Sequence, residues 1–395
     1  MQAIKPKIAI LGAGLLGRML TVSLMNDFDI TLYDKDDGDA QQSAGFLAAA
    51  MLAPLAESAD CSIEIMQMGE QALSLWPEFL DNLEMNVYFQ QTGSLMVAFE
   101  QDLAALKQFK SRLKGRAFQE MDSQQIHALE PELNTSFSKG LFLPNEAQLD
   151  NRQLLEALGS EIKKHDINKN NVVWQYNANV EVNEEVVLVN QKPLSDFDWV
   201  IDCRGVGLQK DLANSDSSKE LLDGVSPFRA VRGEVIRVHA PEVNLTRPVR
   251  LMHPRYPIYI APKENHNFVI GATQIESEDK RNPTVRSVLE LLSACFSVHR
   301  GFAEAEVMSI DSGLRPAFLD NHPKIIQHKN RLTVNGLFRH GYLLAPVVVK
   351  ACLEVINCNN NKLKPNTESI SNLPGLVVNG NIYKKATAVN VEMVS

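Results

Sequence analysis

Gly12, Gly14 and Gly17 stand in the spacing G-x-G-x-x-G, with Ala13 between the first two, directly after the apolar run KIAIL. Each glycine answers a different demand. Gly12 lets the chain turn tightly from strand into helix, Gly14 lets the backbone approach a pyrophosphate, and Gly17 lets helix and strand pack closely. The helix that follows would aim its N-terminal N–H groups at the anion. Asp34 lies 22 residues beyond Gly12, at the end of the next strand-like run, where a carboxylate can accept hydrogen bonds from a ribose diol. Together these features make a dinucleotide site, and the motif alone does not choose between NAD and FAD. Two arginines farther along could face another anion. Arg315 sits in Gly-Leu-Arg-Pro; a planar guanidinium can hold a carboxylate by two parallel hydrogen bonds, and an arginine before proline can equally brace a loop. Arg339 and His340 interrupt the apolar stretch GLFRHGYLLAP, which raises the question of what a cationic side chain faces there.

The elements that must position these residues follow from periodicity. KIAILGAG, LLGRMLTVSLMND and FDITLYDKDD read as strand, helix and strand. Helical patterns recur around 62–81, 101–114 and 151–164, and TVRSVLELLSACFS and YLLAPVVVKACLEVI are helical as well. NVVWQY, VEVNEEVVLVN and DWVIDCRG alternate like strands, as do VRGEVIRVHA, YPIYIAP, NFVIGATQ, EAEVMSIDSGLRP and RLTVNGLF. Nucleotide-type βα units therefore sit at both ends of the chain, with a mostly antiparallel block between them. The Asn-rich stretch 357–372 reads as a loop or linker, and the segment after it has no assigned role.

With 395 residues, 45% hydrophobic and 22% charged, the chain has the composition of a globular protein of two closely joined domains. A net charge of −9 argues against a nucleic-acid partner. The five cysteines, at 61, 203, 295, 352 and 358, show no metal-like spacing, and their odd number favours a reduced, cytoplasmic setting. No signal peptide is visible, and the small-residue run AGFLAAAMLAPLA (44–56) is well short of the roughly 20 residues needed to span a bilayer. No metal is expected, and a homo-oligomer is left open.

DFDWVIDCRGVG (196–207) resembles the late strand of two-dinucleotide-fold flavoproteins, which runs into a glycine turn, here Gly205, beside FAD. The stretches AAAMLAPLAE, LPNEAQLDNRQLLEAL, YIAPKENHNFVIGAT, SGLRPAFLDNHPKI and GLFRHGYLLAP extend the likeness. On these motifs the chain resembles the D-amino-acid oxidase family of FAD-dependent oxidoreductases, and within it the glycine oxidases of thiamine biosynthesis. The resemblance implies an α/β fold: a Rossmann-like FAD-binding domain (1–85, 140–225 and 310–365) with an inserted antiparallel-sheet substrate domain (86–139 and 226–309), and a tail at 366–395.

It also implies site residues. Asp34 and Lys35 would flank the adenosine ribose, and Val180 would meet the adenine through its backbone. Ser43, Ala48, Ala49, Ala50 and Met51 would pass close to the pyrophosphate and flavin. Gly341, Tyr342 and Leu343 would open a helix whose N-terminus faces the flavin ring, with Arg339 on the substrate side and His340 beside it. Arg315 and the hydroxyl of Tyr259 would hold the substrate's α-carboxylate. The implied reaction is oxidation of a small amino acid or amine such as glycine, sarcosine or a small D-amino acid, with non-covalent FAD and dioxygen as acceptor. A dehydrogenase of the same fold, or a flavoprotein without turnover, are the alternatives. Two departures bear on the substrate: Ala50 stands where the family usually has glycine, and Pro257 replaces its histidine.

Overall fold

The computed structural model describes residues 5–169, 171–183, 186–213, 227–254, 257–359, 373 and 375–379. Two sheets organise them. The seven-stranded sheet runs in the order Val377–Asn379, Lys324–His328, Arg331–Asn335, Trp199–Asp202, Lys7–Leu11, Asp29–Tyr33, Val172–Gln175. Its centre is parallel, with Ile10 opposite Ile201 on one side and Leu32 on the other. Lys324–His328 runs antiparallel to its neighbour, and Val377–Asn379 pairs with it in parallel, so part of the C-terminal segment extends this sheet. Parallel strands buried on both faces need apolar residues throughout, and Ile8, Ala9, Ile10 and Leu11 are all fully buried.

The eight-stranded sheet runs Glu306–Phe318, Phe228–His239, Asn267–Gly271, Ile258–Pro262, Val249–Leu251, Ser94–Ala98, Lys139–Leu143, Gln119–Asp122. Its pairs are antiparallel except where Val249–Leu251 meets Ser94–Ala98. The long strand Glu306–Phe318 belongs wholly to this sheet, so a domain boundary at residue 310 cuts through a strand; the chain returns to the nucleotide-binding sheet only at Lys324.

The expected helices form at Leu15–Leu24, Ile63–Asp81, Leu103–Arg112, Asn151–Lys169, Val285–Val298 and Gly341–Asn359. The run 44–56 is not one helix. It breaks into Ala44–Leu47, a short strand Met51–Leu52 and a turn of helix Pro54–Glu57. Asn151 makes the break, because its side-chain amide donates to the carbonyls of Gly45 (2.9 Å) and Phe46 (2.8 Å). Gly341–Cys358 is apolar and long enough to cross a membrane, but 67% of it is buried in the protein, against Ile63–Asp81 and Leu15–Leu24. Trp76 anchors that packing by donating its indole N–H to the carbonyl of Tyr342 at 3.1 Å. Most of the Asn-rich stretch lies outside the described residues.

At the first βα turn the glycines divide their labour. Gly12 has φ +94°, and a Cβ there would meet the backbone of Cys203 and Arg204 at 3.0 Å. A Cβ at Gly17 would stand 1.8 Å from the Gly12 carbonyl oxygen, whereas one at Gly14 would meet only Ser43, at 3.8 Å. Gly17 is therefore needed for packing, and Gly14 for what lies in front of it. Gly17→Ala should cost more than about 4 kcal/mol and prevent folding. Gly14→Val should fold with the melting temperature of flavin-free wild type and emerge without flavin. Melting curves and the visible absorbance of bound flavin separate the two, and a yellow Gly14→Val protein would contradict the assignment.

Candidate active site

Between the two sheets lies one cavity of about 1790 Å³. It exceeds the roughly 300–1,000 Å³ of ordinary small-molecule pockets, as a dinucleotide plus a substrate requires. Gly12, Ala13, Gly14, Asp34, Lys35, Ser43, Ala48, Ala49, Ala50, Met51, Val180, Gly205, Tyr259, Arg315, Arg339, His340, Gly341, Tyr342 and Leu343 all line it. Gly17 does not: it is a packing residue behind the cavity wall, because its Cα faces the Gly12 carbonyl.

Two helix N-termini open on this cavity. Leu15–Leu24 starts at Gly14 with no side-chain cap and no acidic residue in its first turn. Gly341–Asn359 also lacks an acid in its first turn, and a Cβ added at Gly341 would touch nothing within 4 Å. The first-turn N–H groups and the positive end of each helix dipole suit an anion. One end fits a pyrophosphate and the other the electron-rich edge of a flavin, so the residues present fit FAD. Asp34 is buried and partly engaged: its Oδ2 accepts from the Ala13 N–H at 2.9 Å. It thus fixes the glycine turn as well as lining the cavity. The small-residue loop is pinned from behind, where Arg237 donates to Asn151 Oδ1 (2.7 Å) and the Ala48 carbonyl (3.3 Å), and Tyr342 donates to the Gly45 carbonyl (3.0 Å).

The far end of the cavity is built on the eight-stranded sheet. Arg315 lies across Gly233, where a Cβ would fall 2.2 Å from its Nη2, and Tyr259 lies across Gly271, where a Cβ would fall 2.5 Å from its hydroxyl. Arg315 Nη1 donates to the Thr273 carbonyl at 3.1 Å. No carboxylate among the described residues forms an ion pair with Arg315. Burial raises the Tyr259 phenol above its ordinary value, so it stays a hydrogen-bond donor at neutral pH.

Arg339 faces acids. Its Nε lies 2.8 Å from Glu57 Oε2, and its Nη1 lies 3.1 Å from Asp60 Oδ2 and 3.2 Å from Gln274 Oε1. Glu57 also pairs with Arg250 at 3.0 Å and lies 3.6 Å from His340 Nδ1. Burial alone would raise the Glu57 carboxyl, but Arg339 and Arg250 overcome it and hold the group down at about 2. Glu57, Asp60, Arg250 and Gln274 escaped the sequence reading. Glu57 ends the motif AAAMLAPLAE and offered that much of a signal, while the others lie in unremarkable local sequence.

His340 is buried, not solvent-facing. Burial, reinforced by Arg339 and Arg250, pushes its imidazole down to about 4 against the pull of Glu57. A base depressed in the folded state adds stability that is complete above its ordinary value of 6.5 and is lost as pH falls toward 4. That shift is worth on the order of 3 kcal/mol. Glu57 adds a further loss below its ordinary 4.5, in the same direction. His340→Asn should flatten the limb between pH 6.5 and 4, as read by urea unfolding at about pH 7, 5.5 and 4.5. Parallel acid limbs in variant and wild type would rule out the buried neutral imidazole.

Comparison with known proteins agrees with this architecture. Residues 7–353 match the model of the DAO family, described as FAD dependent oxidoreductase. The chain is 34% identical over 343 residues to the Rhizobium etli protein described as a thiamine biosynthesis oxidoreductase, ThiO, covering 87% of this chain and 94% of that one. The crystal structure of glycine oxidase from Geobacillus kaustophilus superposes with a TM-score of 0.74 at 20% identity, over 91% of this chain and 96% of that one. Iminodiacetate oxidase from Chelativorans sp. BNC1 gives 0.77 at 19% identity, over 94% and 99%. The two-sheet fold is thus shared with these structures, and by the family match over most of its length the chain belongs to the DAO family of FAD-dependent oxidoreductases.

Proposed function

We propose that this FAD-dependent oxidoreductase oxidises the carbon–nitrogen bond of a small amino acid or amine, glycine or sarcosine first among them. The product imine hydrolyses to a 2-oxo acid, and dioxygen is reduced to hydrogen peroxide. The observation that carries the reading is Arg315: a half-buried guanidinium with no ion-paired carboxylate among the described residues, on the same sheet face as a protonated tyrosine. A desolvated cation needs a counter-ion, and a substrate α-carboxylate supplies it. Arg339 is already neutralised by Glu57 and Asp60, so we assign it to shaping the wall, not to a second anchor. FAD supplies the two-electron acceptor. The chain's task is to orient: Arg315 and Tyr259 fix the carboxylate, and the start of Gly341–Asn359 favours negative charge at its end of the cavity. Likeness to the Rhizobium etli ThiO supports a place in thiamine biosynthesis, and the five free cysteines suit the cytoplasm.

Arg315→Ala should keep its flavin and lose on the order of 10²-fold in kcat/KM, and Arg315→Lys should recover little because an ammonium lacks the fork. Steady-state peroxide assays on flavin-replete protein provide the measurement. An Arg315→Ala enzyme of near wild-type efficiency would move the anchor elsewhere. Absence of peroxide in air with intact anaerobic flavin bleaching would favour the dehydrogenase.

Ala50 holds a left-handed φ of +51°, a conformation that costs an L-residue about 1–2 kcal/mol and glycine nothing. Its methyl group also takes space at the cavity wall. Ala50→Gly should therefore be more stable locally and should widen acceptance toward branched D-amino acids by roughly tenfold. The comparison is kcat/KM for glycine, sarcosine, D-alanine and D-valine on both proteins. A wild type that already favours D-valine over glycine defeats the small-substrate reading.

A further inference from the structure

Arg204 follows the strand Trp199–Asp202 and is almost entirely withdrawn from solvent, its side chain 9% exposed. Its guanidinium is fully committed. Nε and Nη2 grip Asp202 at 2.9 and 2.7 Å, Nη2 also reaches Asp211 Oδ2 at 2.6 Å, and Nη1 donates to the Val180 carbonyl at 2.8 Å. The backbone of Arg204 stands against Gly12, close enough that a Cβ on the glycine would meet its Cα at 3.0 Å. One residue therefore touches both the dinucleotide turn and the strand Val180–Val182.

That strand is the edge of a small three-stranded sheet. Asn190 N–H bonds to the Asn179 carbonyl at 2.8 Å, and Val180 sits opposite Val189. Alternation along an antiparallel ladder then turns the N–H and C=O of Val180 outward, away from the neighbouring strand. The two members of the ion pair occupy that outward edge: Arg204 takes the Val180 carbonyl, and the Asp211 carboxylate accepts from the Val182 N–H. What the edge still presents to the cavity is the outward N–H of Val180.

We propose that Arg204, braced by Asp202 and Asp211, is a positioning residue that sets this edge to read the adenine of FAD. The inference rests on the assignment of Val180 to the adenine end of the cavity. A fixed N–H donor pairs with adenine N1, which is an acceptor. It opposes hypoxanthine N1, which carries a hydrogen. An edge held rigidly therefore discriminates between the two bases, and a loosened edge does not.

The test uses the full chain stripped of flavin and titrated with FAD and with flavin hypoxanthine dinucleotide, read by flavin fluorescence quenching. Wild type should prefer FAD by about tenfold or more, the worth of one hydrogen bond replaced by a clash of donors. Arg204→Lys keeps a cation between Asp202 and Asp211 but cannot span to Val180. It should bind FAD about tenfold more weakly and lose most of the preference, while the absorption spectrum of bound flavin stays unchanged. If Arg204→Lys does not fold, Asp211→Ala carries the same readout, with a loss of about threefold or more. FAD affinity within twofold of wild type, or equal weakening of both dinucleotides, would overturn the role of Arg204 and leave only a structural brace. A wild type that binds both dinucleotides equally would instead remove the assignment of Val180.

Discussion

The carboxylate of Glu57 ties the two halves of this molecule together. It ends the one-turn helix Pro54–Glu57, pairs with Arg250 from the eight-stranded sheet, and pairs with Arg339 from the loop that leads into Gly341–Asn359. A buried ion cluster of this kind does not add much net stability, because desolvation offsets most of the attraction. What it provides is uniqueness of arrangement. Removing any one member strands the others away from water, so a partly separated or shifted seam is penalised. Arg250 reinforces the point by donating to the Ala56 carbonyl at 2.7 Å, which holds the end of the helix as well as its charge.

The cavity follows from that seam. With the loop 336–341 fixed, the helix Gly341–Asn359 begins at the cavity wall, where Gly341, Tyr342 and Leu343 line the cavity, and no acid stands in its first turn. The first helix does the same from the opposite end, beginning at Gly14. Both helices are stabilised behind the wall, where Met19, Leu20, Leu344 and Val347 are fully buried in one core. Apolar packing behind the wall thus holds two helix ends at the cavity with no acid in their first turns, and each end suits an anion.

The end of the cavity on the eight-stranded sheet uses a different device. Gly233 and Gly271 remove two side chains from a sheet face, and Arg315 and Tyr259 fill the space. A sheet is a stiff platform, so the guanidinium and phenol are held by the strand register instead of by a flexible loop. Thr273 contributes at two levels: its carbonyl receives Arg315, and its hydroxyl accepts from the Glu234 N–H at 3.0 Å.

Much of this was readable in the chain itself. Local rules with a short reach wrote the first βα unit: the apolar strand, the glycine spacing, and Asp34 at the end of the next strand. Helix periodicity located Ile63–Asp81, Val285–Val298 and Gly341–Asn359 within a few residues. Family motifs named Arg315, Tyr259 and the small-residue loop. Tertiary structure decided what local sequence could not carry. The run 44–56 has the composition of a helix and is broken where Asn151, more than a hundred residues away, bonds its carbonyls, because tertiary hydrogen bonds override a propensity worth only tenths of a kcal/mol per residue. Arg339 is an arginine in an apolar stretch, and only the folded chain brings Glu57 and Asp60 against it from 279 or more residues away. Charge pairing across such separations leaves no periodic trace in a single sequence. The sequence determines which chemistry is available, and the fold decides which cation is neutralised and which is left to meet a ligand.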